Sequence, residues 1–296
     1  MGHGRHAAAV AALGAKPFLT DANTLYRGDR SDAVSHMVRA LKHGFDCFGA
    51  GAPVIIADGL QGDSFREVSI PGKHFKRVKI AGEIASSNSM IVVSHFKAHL
   101  PAGFGGAVKN LGMGCAPPLG KADQHSARPI FNAELCIGCR SCMEGCPNHA
   151  IAVDKRITAI DYSLCTGCGK CLRLCSTHAL DFDWLVEVPP FMERMTEYAL
   201  GAVAGKKGRV GFFNLLINIT PDCDCVPWSD SPIVPDIGIL ASTDPVALDK
   251  ASADMLVRAA GRDILRAGYD LDWSLQLKHG AKIGLGSLDY ELVELK

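Results

Sequence analysis

A net charge of either sign is the first thing this sequence lacks. Lys and Arg together number 31, and so do Asp and Glu, so no long-range field would draw the chain onto nucleic acid or acidic lipid. Long apolar runs are missing as well, because Asp, Lys, Arg, Pro or Asn interrupts each candidate before the ~18 residues of a membrane span. Neither nucleic acid nor membrane is an expected partner, and the sequence reads as that of a soluble, cytoplasmic protein. Aromatic residues are few, at 7%, yet 48% of the 296 residues are hydrophobic. That is enough for one or two substantial cores and excludes disorder as the main state. The opening residues Met1-Gly2-His3-Gly4-Arg5-His6 and the Ala-rich run 7–13 imitate a signal peptide, but the run is too short and too rich in Ala. It reads as the end of an amphipathic helix stopping at Gly14, which hints at a further segment upstream.

What is present alternates between strand and helix patterns. Apolar strand-like runs cover residues 16–21, 53–57, 65–70 and 90–93, and a helix over 31–43 opens on Ser31 or Asp32. Later residues continue in kind, with a helix over 191–204, strands over 210–219 and 237–241, and a helix opened by Thr243-Asp244-Pro245. The alternation predicts an α/β, layered sheet-and-helix domain. Residues 1–130 and 183–296 are its two parts, and residues 131–182 interrupt it.

The interruption is rich in cysteine. Of 12 cysteines, those between Cys136 and Cys175 stand in two runs, Cys136-x2-Cys139-x2-Cys142-x3-Cys146 and Cys165-x2-Cys168-x2-Cys171-x3-Cys175. Residues 135–151 and 164–180 repeat each other at a fixed offset: every cysteine, the leading leucine, a glycine, a histidine and an alanine coincide. Neighbours so close cannot close useful disulfide loops, and zinc needs only four ligands per ion. Three thiolates two residues apart wrap one cubane, and in this spacing the fourth cysteine serves the other cluster. Cys136, Cys139, Cys142 and Cys175 are therefore expected to hold one 4Fe–4S cluster and Cys146, Cys165, Cys168 and Cys171 the second. Residues 131–182 resemble the bacterial two-cluster ferredoxin, with Ser176 where that family carries a proline like Pro147. His149 and His178, equivalent in the two repeats, read as structural features or as tuners of the clusters. Cys47 stands alone and is expected to pack.

A second constellation follows the strand at 90–93: Ser94-His95-Phe96-Lys97-Ala98-His99, then a glycine-rich stretch through Gly105, Gly106 and Lys109 to Cys115, and later His125. Polar residues at the end of a buried strand are where open α/β sheets place ligands. His95, Lys97, His99 and Lys109 are the candidate catalytic side chains. Gly105 and Gly106 would let backbone N–H groups approach an anionic cofactor, with Lys109 as counter-charge or tether. Neither a P-loop nor a dinucleotide fingerprint is present there. Cys223 and Cys225 would share one side of an extended segment over 219–226. With Cys115 or His125 they form a possible third metal site.

From about Lys16 onward the chain resembles the uncharacterised iron–sulfur family known as domain of unknown function 362. The resemblance is carried by residues 18–26, Ser94-His95-Phe96-Lys97, residues 103–114, the paired cysteine runs and residues 218–225. Members usually begin with a further strand and helix. A fainter resemblance, in the order His99, Gly105-Gly106, Lys109, His125, is to nickel-pincer lactate racemases. It implies His99 as acid/base, Lys109 as anchor of a nickel-pincer-type cofactor and His125 as nickel ligand. Where the racemases carry a second acid/base histidine, this chain reads Asn23-Thr24-Leu25-Tyr26.

The leading expectation is electron transfer through two 4Fe–4S clusters, to or from a redox or metal site in the α/β domain. The chain would be an oxidoreductase or a subunit of one, served by a redox partner protein or a small electron carrier. The alternatives are a metal-dependent, isomerase-like enzyme and a partner-binding protein whose clusters are structural. Substrate and oligomeric state have no signature in the sequence.

Overall fold

The computed structural model of the chain describes residues 3–184, 187–226, 228 and 230–295. It is an α/β fold in which helices and small sheets alternate along the chain. Two compact units result, one of residues 1–66, 81–84 and 116–185, the other of residues 67–80, 85–115 and 186–296. The cysteine-rich segment shares the first unit with the N-terminal stretch. Among the described residues no helix is long and apolar enough to cross a membrane.

In the first unit, helix His3–Ala12 precedes a strand pair; Met1 and Gly2, at the head of the run read as helical, lie outside the described residues. Strand Leu19–Asp21 runs parallel to Val54–Ile56. Helix Ala33–Lys42 lies between them in sequence and is capped by Asp32, whose carboxylate accepts the N–H groups of Val34 and Ser35. Such a cap contributes about 1 kcal/mol. Strand Arg128–Phe131 pairs antiparallel with Leu180–Asp183 and so closes the cysteine segment on itself. Inside it lie the hairpin Ile151–Asp154 with Ile157–Ile160 and the short helices Ser141–Glu144 and Lys170–Leu174. Both repeats contribute to one apolar cluster that buries Leu25, Cys142, Ile151, Cys171, Leu180 and Phe182.

The second unit is built on a three-stranded sheet. Its central strand Val210–Leu216 runs parallel to Met90–His95 and antiparallel to Gly238–Ser242. Phe212, Asn214 and Leu216 are buried along it, the period of two that a strand imposes. The strand ends before the expected 219 because Asn218 turns into the left-handed region at φ 51°. Helix Pro245–Ala260 opens on Asp244, which accepts the N–H groups of Val246 and Ala247, with Pro245 in its first turn. Helix Val188–Val203 starts earlier than its apolar pattern because Pro189 and Pro190 fit a first helical turn, where no intrahelical N–H is needed. From that helix the fully buried Glu197 accepts the N–H groups of Lys73 at 2.7 Å and Phe75 at 2.9 Å, and lies 3.1 Å from His279 Nε2. Burial pushes its carboxyl up, but these bonds outweigh it and hold the group below its ordinary value.

Candidate metal and redox sites

Two cavities open among the paired cysteine runs. The first, of about 330 Å³, is lined by Cys136, Cys139, Cys142 and Cys175; the second, of about 340 Å³, is lined by Cys146, Cys165, Cys168 and Cys171. Each takes three cysteines from one repeat and the last from the other, and all eight are free thiols. The repeat extends to backbone shape. Gly138 and Gly167, Arg140 and Gly169, and His149 and His178 are equivalent pairs, and all six residues have positive φ. Left-handed steps at the same places curl each run around its cavity. Gly138 must be glycine for a second reason, since a Cβ there would lie 2.1 Å from the Lys155 carbonyl oxygen.

Polar hydrogens point at the sulfurs. Gly138 N–H donates to Cys136 Sγ at 3.4 Å, Ala150 N–H to Cys146 Sγ at 3.3 Å and Ser141 Oγ–H to Cys139 Sγ at 3.5 Å. Thr177 Oγ1 lies 3.7 Å from Cys175 Sγ, one residue past Ser176. Burial first, then the nearby Cys168, Cys165, Cys142 and Cys146, pushes the Cys171 thiol up to about 12. His178 Nδ1 faces Arg27 Nη1 at 2.5 Å, and the same guanidinium donates to the Leu172 and Leu180 carbonyls, both at 2.8 Å. Asn23-Thr24-Leu25-Tyr26, the stretch that stands in place of a racemase histidine, belongs to the same unit. Leu25 joins the apolar cluster around Cys142 and Cys171, and Asn23 Nδ2 donates to the buried Asp58 at 2.9 Å.

The second unit gathers another set of donors. Parallel strands end at the same edge of a sheet, and the pairing of Met90–His95 with Val210–Leu216 continues past both. Phe96 N–H donates to the Leu215 carbonyl at 3.0 Å and Ala98 N–H to the Thr220 carbonyl at 3.1 Å. Strand Lys97–His99 is thereby carried alongside residues 220–225. His99, Cys223 and Cys225 each offer a ligand atom there, all within 4.8 Å of one another, and no other group of three or more such donors converges so closely among the described residues. The expected extended segment over 219–226 is instead a turn, with Val226 N–H on the Cys223 carbonyl at 3.1 Å and Cys225 N–H on Cys223 Sγ at 3.4 Å.

Charge surrounds this set. Lys109 Nζ lies 3.4 Å from Cys223 Sγ. Asp224 meets His95 Nδ1 and Lys97 Nζ, each at 2.9 Å. Burial pushes the Asp224 carboxyl up, yet His95 and Lys97 hold it well below the carboxylate range; the same bond raises His95. Within the sulfur pair, the hydrogen bond from Cys225 holds Cys223 low against burial, aided by His99 and Lys109, while the Cys225 thiol is pushed up. Burial, then the Lys109 charge, lowers His99 to about 4.

Gly105 and Gly106 take a different part from the one expected. The N–H groups beyond Gly106 do meet an anion, but it is the chain's own Asp249: Ala107 N–H donates to it at 2.7 Å, Val108 N–H at 2.9 Å and Asn214 Nδ2 at 2.7 Å. A Cβ on Gly106 would lie 2.3 Å from the Asp249 carboxylate, so glycine is required for that approach. At Gly105 a Cβ would meet the Lys109 side chain at 3.1 Å. The glycines thus seat helix Ala107–Lys109 and let Lys109 fold back toward Cys223.

Other candidates lie elsewhere. Cys115 is buried in the second unit within the electrostatic reach of Lys206. His125 closes helix Pro118–His125 in the first unit, its ring edge-on to Trp184 with centroids 5.6 Å apart. Cys47 is exposed, so it does not pack as expected. Reading the sequence named His95, Lys97, His99, Lys109, His125, Cys223 and Cys225 as candidates for one site, without singling out His99 as the third donor beside the two sulfurs; the structure gathers His99, Lys109, Cys223 and Cys225 and leaves His125 in the first unit. The available signal was that both segments follow apolar strands able to pair in parallel. A family model described as domain of unknown function (DUF362) matches residues 5–254. No curated protein matches the chain.

Proposed function

The chain belongs to the DUF362 family, whose description assigns no activity, and we propose from its own residues that it carries electrons through two 4Fe–4S clusters. The observation that carries this reading is the sorting of eight free cysteines into two cavities, three from one repeat and one from the other in each. Cys136, Cys139, Cys142 and Cys175 would hold one cluster; Cys146, Cys165, Cys168 and Cys171 would hold the other. Three cysteines two residues apart with a fourth from the other run is the ligand pattern of paired clusters and favours them over zinc.

Such clusters supply one-electron chemistry when bound. The chain's part is to hold thiolates, exclude water and bias the potential. The N–H and O–H groups aimed at Cys136, Cys139 and Cys146 favour the more negative, reduced state and so raise the potential. Ile137, 60% exposed at the first cavity, offers an apolar contact for a redox partner protein or small electron carrier. An isomerase of the pincer type has less support. It needs Lys109 as a tether and the Gly105-Gly106 turn as a cradle, whereas Lys109 meets Cys223 and the turn meets Asp249.

Protein purified without oxygen should contain about 8 iron and about 8 sulfide per chain and give a dithionite-dependent EPR signal. Negligible iron overturns the cluster reading, and full iron with no such signal overturns electron transfer. Cys146→Ala should lose about half of the iron. Adding Cys165→Ala should remove no more, while adding Cys136→Ala should remove the rest; the reverse pattern would refute the crossed ligand sets.

A further inference from the structure

The close donor set of the second unit lies outside the eight cluster cysteines, and the reading above leaves it without a role. Its three donors are a buried imidazole, a buried sulfur and an exposed sulfur within 4.8 Å of one another. His99 is only 7% exposed, and its Nδ1 is sealed from water with no hydrogen-bond partner. A buried ring nitrogen left in that condition costs about 1–3 kcal/mol, a cost removed by a cation bound at that nitrogen. Two sulfurs and one imidazole nitrogen suit a cation of borderline softness and reject magnesium or calcium. Donors on one zinc lie within ~4 Å of one another, close to the spacing of this set.

We propose that His99, Cys223 and Cys225 bind a single zinc-class divalent cation and leave its fourth position open to an external anion. Structural zinc sites take four protein ligands, whereas three with one open position is the arrangement that binds a reacting ligand. Cys225, exposed, gives access to that position. The charge count selects the ligand. Two thiolates neutralise the cation, Asp224 stands against both Lys97 and His95, and Lys109, whose ammonium lies 3.4 Å from Cys223 Sγ, leaves the surroundings net positive. A carboxylate, thiolate or halide completes the balance; a cationic or purely apolar ligand does not. The hydrogen bond from Lys109 also withdraws electron density from the sulfur, which sharpens the Lewis acidity of the cation.

The proposal does not rest on the iron–sulfur reading, because iron and sulfide report on the first unit and zinc on the second. Holoprotein loaded with one equivalent of zinc and dialysed against a weak chelator should retain about one zinc. Its zinc-edge absorption spectrum should show sulfur at about 2.3 Å and nitrogen at about 2.0–2.1 Å. Cys225→Ser and His99→Gln should each weaken zinc binding at least tenfold with iron and sulfide unchanged. Added bromide should appear as a direct zinc–bromine shell in the wild type and weaken in Lys109→Met. Loss of all zinc from the wild type, retention indifferent to both ligand variants, or a spectrum without sulfur would overturn the site. A resting Cys223–Cys225 disulfide in anaerobic protein would overturn it too. Absence of the bromine shell would overturn the open position.

Discussion

Asp249 is fully buried and accepts three N–H donors, from Ala107, Val108 and Asn214. Burial outweighs them and raises its carboxyl from 3.8 to about 6. Between those values the folded chain holds a proton that the unfolded chain has released. The contribution of Asp249 to stability is therefore complete below pH 3.8 and declines as pH rises through about 6, on the order of 3 kcal/mol in all. Denaturant midpoints of the wild type should carry this falling component between pH 4 and 6, and those of Asp249→Asn should lack it. At neutral pH two effects oppose each other in that variant: its amide nitrogen must face one of three donors, at about 1–3 kcal/mol, and the cost of ionising a buried carboxyl is removed. A pH slope unchanged by the substitution would show that Asp249 is not the group that titrates.

Among elements, the capped helices were the easiest to foresee. Asp32 and the pair Asp244-Pro245 are local signals, and each helix begins where they stand. The cysteine runs were legible because their spacing repeats at a fixed offset, and the crossed grouping expected from it recurs in the linings of the two cavities. The turn through Cys223 and Cys225 was not, because Asp-Cys-Asp-Cys contains no glycine or proline, and its shape depends on pairing with residues far away in sequence. His99 could be grouped with its sulfur neighbours only as one candidate among several, since strand register, which no local pattern specifies, is what brings them together. Gly105-Gly106 was read as a cradle for an external anion because sequence does not show that Asp249 occupies it. Gly138 gives a test at this scale. Gly138→Ala must displace the hairpin carbonyl of Lys155 and strain a φ of +72°. It should cost about 1–3 kcal/mol and shed the iron of the first cavity faster under chelation. Iron loss from the second cavity alone would contradict that expectation.

Across the whole molecule, the cluster reading predicts that the first unit depends on its cavities in a way the second does not. Short helices and two-stranded sheets form its cysteine segment, and metal binding supplies folding energy wherever a protein core is small. Oxidative removal of iron should speed hydrogen exchange in strands Arg128–Phe131 and Leu180–Asp183. The amides of Val210–Leu216 should keep their protection. Equal acceleration in both would mean that the clusters stabilise more than their own unit.

The interleaving of the two units also sets a timetable for synthesis. A ribosome delivers Cys136, Cys139 and Cys142 well before Cys175, and Met90–His95 long before the strand it pairs with. Neither cavity is complete until the second repeat has emerged, and the sheet of the second unit must wait for residues 210–216. The nascent chain therefore spends much of its elongation with reduced thiols and an unpaired strand in the open. On the cluster reading proposed above, iron and sulfide would be loaded late in biogenesis, and an oxidant or a stalled ribosome would meet the chain at its most vulnerable stage before that step.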